Sequence, residues 1–127
     1  MNRYRNAALF RAGLRRFLRE SEERARENGV TPRQYLLLLQ IAGAEGESTT
    51  IKELVDTLAL TQSAVTELVQ RAEQCGYVQR AGSKTDGRVV HLTLTPEGED
   101  KLAAVHGALG PERAQLRRVV EAALNRV

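Results

Sequence analysis

Gln62, Ser63, Thr66, Glu67 and Gln70 fall at the three- and four-residue steps that put side chains on one face of a helix. Ala64, Val65, Leu68, Val69 and Ala72 fall on the opposite face and can be buried. The polar face offers amides, hydroxyls and one carboxylate, a set suited to hydrogen bonding along the edges of bases. A glutamine amide pairs bidentately with adenine, and a carboxylate accepts from the N4 amine of cytosine. The short side chains of Ser63 and Thr66 let a helix come close to phosphates. Thr61 stands at the start of this helix as its cap. Arg71, near its end, is placed to touch the sugar-phosphate backbone rather than bases. Further on, Lys84, Asp86 and Arg88 share a glycine-rich polar loop. There Arg88 suits a narrow minor groove, Asp86 can orient its guanidinium, and Lys84 can meet a phosphate. The candidate DNA-contacting set is therefore Thr61, Gln62, Ser63, Thr66, Glu67, Gln70, Arg71, Lys84, Asp86 and Arg88.

The surrounding elements are those needed to hold such a helix and loop. A short helix over 51–58, capped by Thr50 with Glu53 completing a capping box, leads through Ala59-Leu60 into the polar-faced helix, which runs to about residue 75. This is a helix-turn-helix. Gly76 stops it, and strands at 77–80 and 89–95 follow, with Val90, Leu92 and Leu94 alternating against His91, Thr93 and Thr95. Upstream, residues 3–27 form a long helix with Ala7, Phe10, Leu14, Phe17 and Ser21 as one buried stripe and Arg11, Arg15 and Arg19 as a basic one. Asn28-Gly29 ends it. Thr31-Pro32-Arg33-Gln34 restarts a helix with a capping box, and Tyr35 to Ile41 is apolar nearly all round, the pattern of a central pillar. Downstream, Thr95-Pro96-Glu97-Gly98 opens a helix to about 108. Gly110-Pro111 breaks it, and a last helix over 112–125 carries Leu116, Val119, Val120, Ala123 and Leu124. The expected fold class is mostly α with a small β-hairpin (α+β), in a single domain over 1–127.

Composition narrows the alternatives. The 127 residues, 42% hydrophobic and 28% charged, fit one globular domain. No apolar run reaches the length of a membrane span and the arginine-rich start is unlike a signal peptide, so a cytoplasmic location without membrane partners is expected. One cysteine excludes an intrachain disulfide. Cys75, at the end of an apolar helix, is expected to be a buried, inert thiol. His91 and His106 lie far from it in sequence, on a strand surface and a helix surface, so neither a metal site nor a cofactor is expected. With no nucleophile elbow, glycine-rich phosphate loop or zinc spacing, an enzyme is not expected either. The net charge of +3 is unevenly spread: residues 1–28 carry eight arginines against four glutamates, while residues 49–95 sum to zero. Within that neutral stretch Arg80, Lys84 and Arg88 belong to the hairpin, which gives the nucleic-acid reading its positive charge. The rival reading is a protein–protein interaction module with DNA binding weak or lost, motivated by Glu67 and the neutral core.

The order of elements, with Leu60-Thr61-Gln62-Ser63-Ala64-Val65-Thr66, the Cys75-Gly76-Tyr77-Val78 junction, Asp86-Gly87-Arg88 and Leu92-Thr93-Leu94-Thr95-Pro96-Glu97-Gly98, resembles the MarR family of bacterial transcriptional regulators. The resemblance covers nearly the whole chain. It implies a winged helix-turn-helix lobe over about 31–95 with dimerisation helices over about 3–28 and 96–127. It also implies a homodimer on a pseudo-palindromic double-stranded operator, acting as a repressor and often answering to a small-molecule effector. Phe10, Leu14, Phe17, Tyr35 and Leu38 are the candidate lining of an effector pocket between the dimer base and the DNA lobe. Two departures from the family pattern stand out. The polar-faced helix is poor in basic residues, and the last helix is shorter than usual, implying a smaller dimer interface.

Overall fold

At residue 31 the chain begins its central helix as the local sequence requires. Thr31 Oγ1 accepts from the Gln34 backbone N–H at 3.1 Å, and Gln34 Oε1 accepts from the Thr31 N–H at 3.2 Å. Proline at the first position completes the start of α2 (Pro32–Gly43). The computed structural model describes residues 2–82 and 89–124. Around α2 stand α1 (Arg5–Glu27), α3 (Ile51–Leu58), α4 (Gln62–Gln74), α5 (Pro96–Ala108) and α6 (Gly110–Leu124). Strands β1 (Val78–Gly82) and β2 (Val90–Leu94) pair antiparallel with Val78 opposite Leu94 and Arg80 opposite Leu92. The mostly α fold with a small hairpin is the one expected from the sequence.

α2 is the pillar because its apolar residues face two cores. Leu37, Leu38 and Ile41 are fully buried with Leu54 of α3, Val65, Val69 and Ala72 of α4, and Leu92 of β2. Tyr35 belongs to a second, smaller core with Ala25 of α1, Val30, Val105 of α5 and Leu109. The first core fixes the helix-turn-helix against the hairpin, and the second ties that lobe to α1 and α5.

Local details depart from sequence expectation where a distant residue intervenes. Thr50 Oγ1 caps α3 by accepting from Glu53 N at 3.2 Å, but the Glu53 carboxylate does not return to Thr50. It accepts instead from the Thr49 hydroxyl at 2.8 Å, because Thr49 is held beside it by a two-way backbone bridge to Leu92. The hairpin starts one residue later than the alternation suggested and runs to Gly82. α5 ends at Ala108 as expected, with Leu109 as its C-cap, but α6 begins already at Gly110, two residues before the expected start. Arg24 gathers Glu20, Glu23 and Glu27 within 3.1 to 3.3 Å.

The stripe expected to be buried along α1 is only partly so. Ser21 and Ala25 are buried, Leu14 and Phe17 are half-buried, and Ala7 and Phe10 are exposed. α6 covers one side of α1 so closely that a Cβ on Gly13 would stand 3.1 Å from Val119 Cγ1. The rest of the stripe, with Leu9 (47% exposed) and Leu18 (51%), lies open in the single chain.

Candidate nucleic-acid interface

α4 is presented by its own apolar face. Val65, Leu68, Val69 and Ala72 are sunk in the lobe core, which leaves the other side of the helix no choice but to face outward. Thr61 Oγ1 accepts from Ala64 N at 3.1 Å, fixing the first turn and committing that oxygen to the cap. Gln62, Ser63, Glu67, Gln70 and Arg71 are exposed, and Thr66 is half-buried beneath them. Gln62, Ser63, Thr66, Glu67 and Gln70 together line a shallow, open concavity of about 530 Å3. Five of the seven candidate residues on or capping α4 thus share one surface, while Arg71 lines a neighbouring cavity with Thr31, Gln34 and Glu67. Lys84, Asp86 and Arg88 lie outside the described residues.

The charges on this surface are paired. Arg71 Nη2 donates to Glu67 Oε1 at 2.7 Å, one turn away along α4. Arg80, counted from sequence among the positive charges of the hairpin, donates from Nε to Glu73 Oε1 at 2.8 Å and so ties β1 to the end of α4. Sequence reasoning missed this tie because the two residues are seven apart across a helix-to-strand turn, a spacing with no periodic meaning. It also missed Ala59, which closes α3 in the left-handed region (φ 54°) and sets the turn angle between α3 and α4.

The junction from α4 to the hairpin and on to α5 is unusually close. Thr95 donates its backbone N–H to Tyr77 O at 3.0 Å and its hydroxyl to Gly76 O, while Thr95 Oγ1 accepts from Gly98 N at 3.0 Å. A Cβ built on Gly98 would stand 2.1 Å from Tyr77 O. The Thr95-Pro96-Glu97-Gly98 segment is thus a cap and a contact point at once. This geometry, with a helix-turn-helix, a hairpin and two flanking helices in one arrangement, decides the family when set beside known proteins. The model of the MarR family matches residues 28–89. That segment, which holds the helix-turn-helix and β1, belongs to the MarR family.

A transcriptional repressor, MdtR of Bacillus subtilis, is 33% identical over 86 residues, which is 68% of this chain and 54% of that protein. The chain spans about half or less of the length of the curated relatives it matches. A transcriptional regulator of Thermotoga maritima is 26% identical with a TM-score of 0.69, over 91% of this chain and 75% of its own. A MarR variant of Escherichia coli, solved in complex with operator DNA, shares the fold at a TM-score of 0.72 and 20% identity, over 99% of this chain and 98% of its own.

The five residues expected to line one effector pocket do not meet. Leu38 is in the lobe core and Tyr35 in the smaller one. Phe17 faces a cavity of about 480 Å3 between α1 and α6, and Phe10 a separate one of about 320 Å3 near their ends. Leu14 lines none of the described cavities. The reason is reach: α1 joins Tyr35 at Ala25, and Phe17 lies eight residues back, roughly 12 Å along the axis at 1.5 Å per residue. Cys75 is not the buried thiol its sequence position suggests. It is exposed, with Sγ 3.9 Å from Gln34 Nε2, because it sits on the C-cap where Gly76 (φ 79°) turns the chain away from the core. His106 is exposed on α5 and His91 half-buried on β2. No helix among the described residues is long and apolar enough to cross a membrane.

Proposed function

We propose that this chain is a MarR-family, sequence-specific double-stranded DNA-binding regulator that acts as a homodimer, in the sense of a repressor, in the cytoplasm. The observation that carries the reading is α4: a helix pinned by Val65, Val69 and Ala72, with an outward face made only of polar side chains and open to solvent. Such a helix fits a major groove, with its first backbone N–H groups toward phosphate and its side chains toward base edges. Gln62, Ser63, Thr66, Glu67 and Gln70 are assigned to bases or adjacent phosphates and Arg71 to the backbone. Arg88 is assigned to the flanking minor groove, Asp86 to orienting its guanidinium and Lys84 to a phosphate. The bare apolar stripe of α1, from Leu9 and Phe10 to Leu18, supports a second copy packing there. Two copies would then hold two α4 helices at the spacing of successive major grooves. The domain division follows: the DNA lobe over about 31–95, the dimerisation helices over about 3–28 and 96–127. For an effector, the cavity of about 800 Å3 between α2, the hairpin and α5, lined by Leu39, Leu94, Leu102 and His106, has the size of a small-molecule site. Occupation that favoured one lobe spacing would shift the dimer toward or away from DNA.

The test is capture of genomic fragments by the purified protein at two salt concentrations, followed by sequencing. Enrichment of one inverted repeat that survives moderate salt supports the reading. Recovery of random fragments that vanish as salt rises, or of nothing, overturns it in favour of a protein–protein adaptor.

A further inference from the structure

Among the fully exposed side chains of α4 the charged ones are Glu67 and Arg71, and they are joined to each other at 2.7 Å. The side chains stay 63% and 67% exposed, so the pair is displayed rather than buried. This is an unusual object to offer to DNA. A bare carboxylate is repelled by phosphates, but one neutralised by Arg71 is not. Arg71 holds Oε1, and no described side chain binds Oε2, which remains an acceptor. Glu67 shares the concavity with Gln62, Ser63, Thr66 and Gln70, each able to donate as well as accept, so it is the acceptor-only member of that set.

We infer that Glu67 is a specificity-determining residue that selects cytosine at one position of each half-site, with Arg71 as the positioning residue that holds its carboxylate. The inference rests on the DNA-reading function proposed above. The chemistry is that of the major-groove edges. Guanine presents two acceptors and thymine an acceptor beside a methyl group, so both oppose a carboxylate. Adenine sets its N7 acceptor beside its amine, a pattern that suits the amide of a glutamine. Cytosine presents an amine alone. An acceptor-only side chain therefore prefers cytosine and rejects guanine most strongly. An arginine at the same place would select guanine, so Glu67 has the opposite preference at that base pair.

The experiment is in vitro selection of binding sites from a randomised duplex pool by the full chain, its Glu67→Ala variant and its Glu67→Gln variant, with competition titrations of single-base changes. Expected for the wild type is one cytosine per half-site whose replacement costs on the order of tenfold in affinity, guanine most. In Glu67→Ala the four bases at that position come within about threefold of each other while the remaining positions keep their preferences. In Glu67→Gln the position shifts toward adenine. Arg71→Ala weakens discrimination at the same position and Arg71→Lys restores part of it, which a purely structural role would not do. Unchanged thermal melting of the exposed-site variants verifies folding. An enriched motif that is identical for wild type and Glu67→Ala overturns the role of Glu67 and leaves DNA reading standing. A wild type that enriches no motif overturns the DNA reading, and the inference with it.

Discussion

Replacing Gly98 with alanine sets two effects against each other. Gly98 is at the third position of α5, where alanine is the better helix former by about 1 kcal/mol. On local grounds the substitution stabilises. The added Cβ, however, would stand 2.1 Å from Tyr77 O and 2.9 Å from Tyr77 C, both inside the 3.4 Å where ordinary contact begins and the first by more than 1 Å. Both offending atoms are backbone, so no side chain can rotate away. Relief requires the first turn of α5 to lift from Tyr77, and three bonds cross or brace that contact. They are Thr95 N to Tyr77 O at 3.0 Å, the Thr95 hydroxyl to Gly76 O, and Gly98 N to Thr95 Oγ1 at 3.0 Å.

Weakening two of these at about 1 kcal/mol each, together with overpacking of about 1–3 kcal/mol, outweighs the helix gain. The expected net loss for Gly98→Ala is about 2–4 kcal/mol. That is a large part of the roughly 5–15 kcal/mol that holds a typical domain together. The assay is urea denaturation of wild type and variant at equal protein concentration, since association raises apparent stability. A lower midpoint with unchanged slope is expected. A variant as stable as the wild type, or more stable, refutes the close-contact argument and leaves helix propensity as the deciding effect. Because the same contact joins the hairpin to α5, the DNA affinity proposed above should fall as well in the surviving folded fraction.

Three further substitutions probe other elements. Ala59→Gly relieves a left-handed residue (φ 54°) in the turn between α3 and α4. The relief of about 1–2 kcal/mol exceeds the entropy cost of glycine, so a gain of about 0.5–1 kcal/mol in urea denaturation is expected; a loss contradicts it. Gly13→Leu drives a side chain into Val119, against which even a Cβ would stand at 3.1 Å. If the α1–α6 packing holds the open stripe of α1 in place for the proposed second copy, sedimentation should then show at least tenfold weaker self-association; unaltered association would refute that coupling. Tyr35 has its pKa raised, chiefly by burial, with the Arg113 charge opposing. Its contribution is intact below the unfolded-state value of about 10 and is lost as pH rises toward the folded-state value, at up to about 1.4 kcal/mol per pH unit. Tyr35→Phe should therefore lose less stability than wild type between pH 10 and 11 in parallel denaturant titrations; equal losses would show that the phenol does not titrate late.

What the sequence made legible was whatever depends on neighbours within one or two turns. Thr31 with Gln34, Thr61 with Ala64 and Thr95 with Gly98 cap helices as their spacing requires, and the apolar spacing of Val65, Val69 and Ala72 identified the buried face of α4. Where the outcome depended on a residue far along the chain, the spacing was silent or misleading. Glu53 had the right position for a capping box, yet Leu92, some forty residues on, draws Thr49 beside it and takes its carboxylate away. Arg80 read as free positive charge until the turn at Gly76 swung it against Glu73. Phe10 and Phe17 shared a stripe with Ser21, but a stripe fixes only direction around a helix, not which neighbour reaches each turn of it. Gly98 shows the limit most sharply. Its position in a recurring motif was visible, while the reason only glycine fits is the carbonyl of Tyr77, which the fold brings to 2.1 Å from where a Cβ would stand. Motif residues of this kind mark contacts between elements, so their substitution should disturb the joint between the hairpin and α5 before it disturbs either part alone.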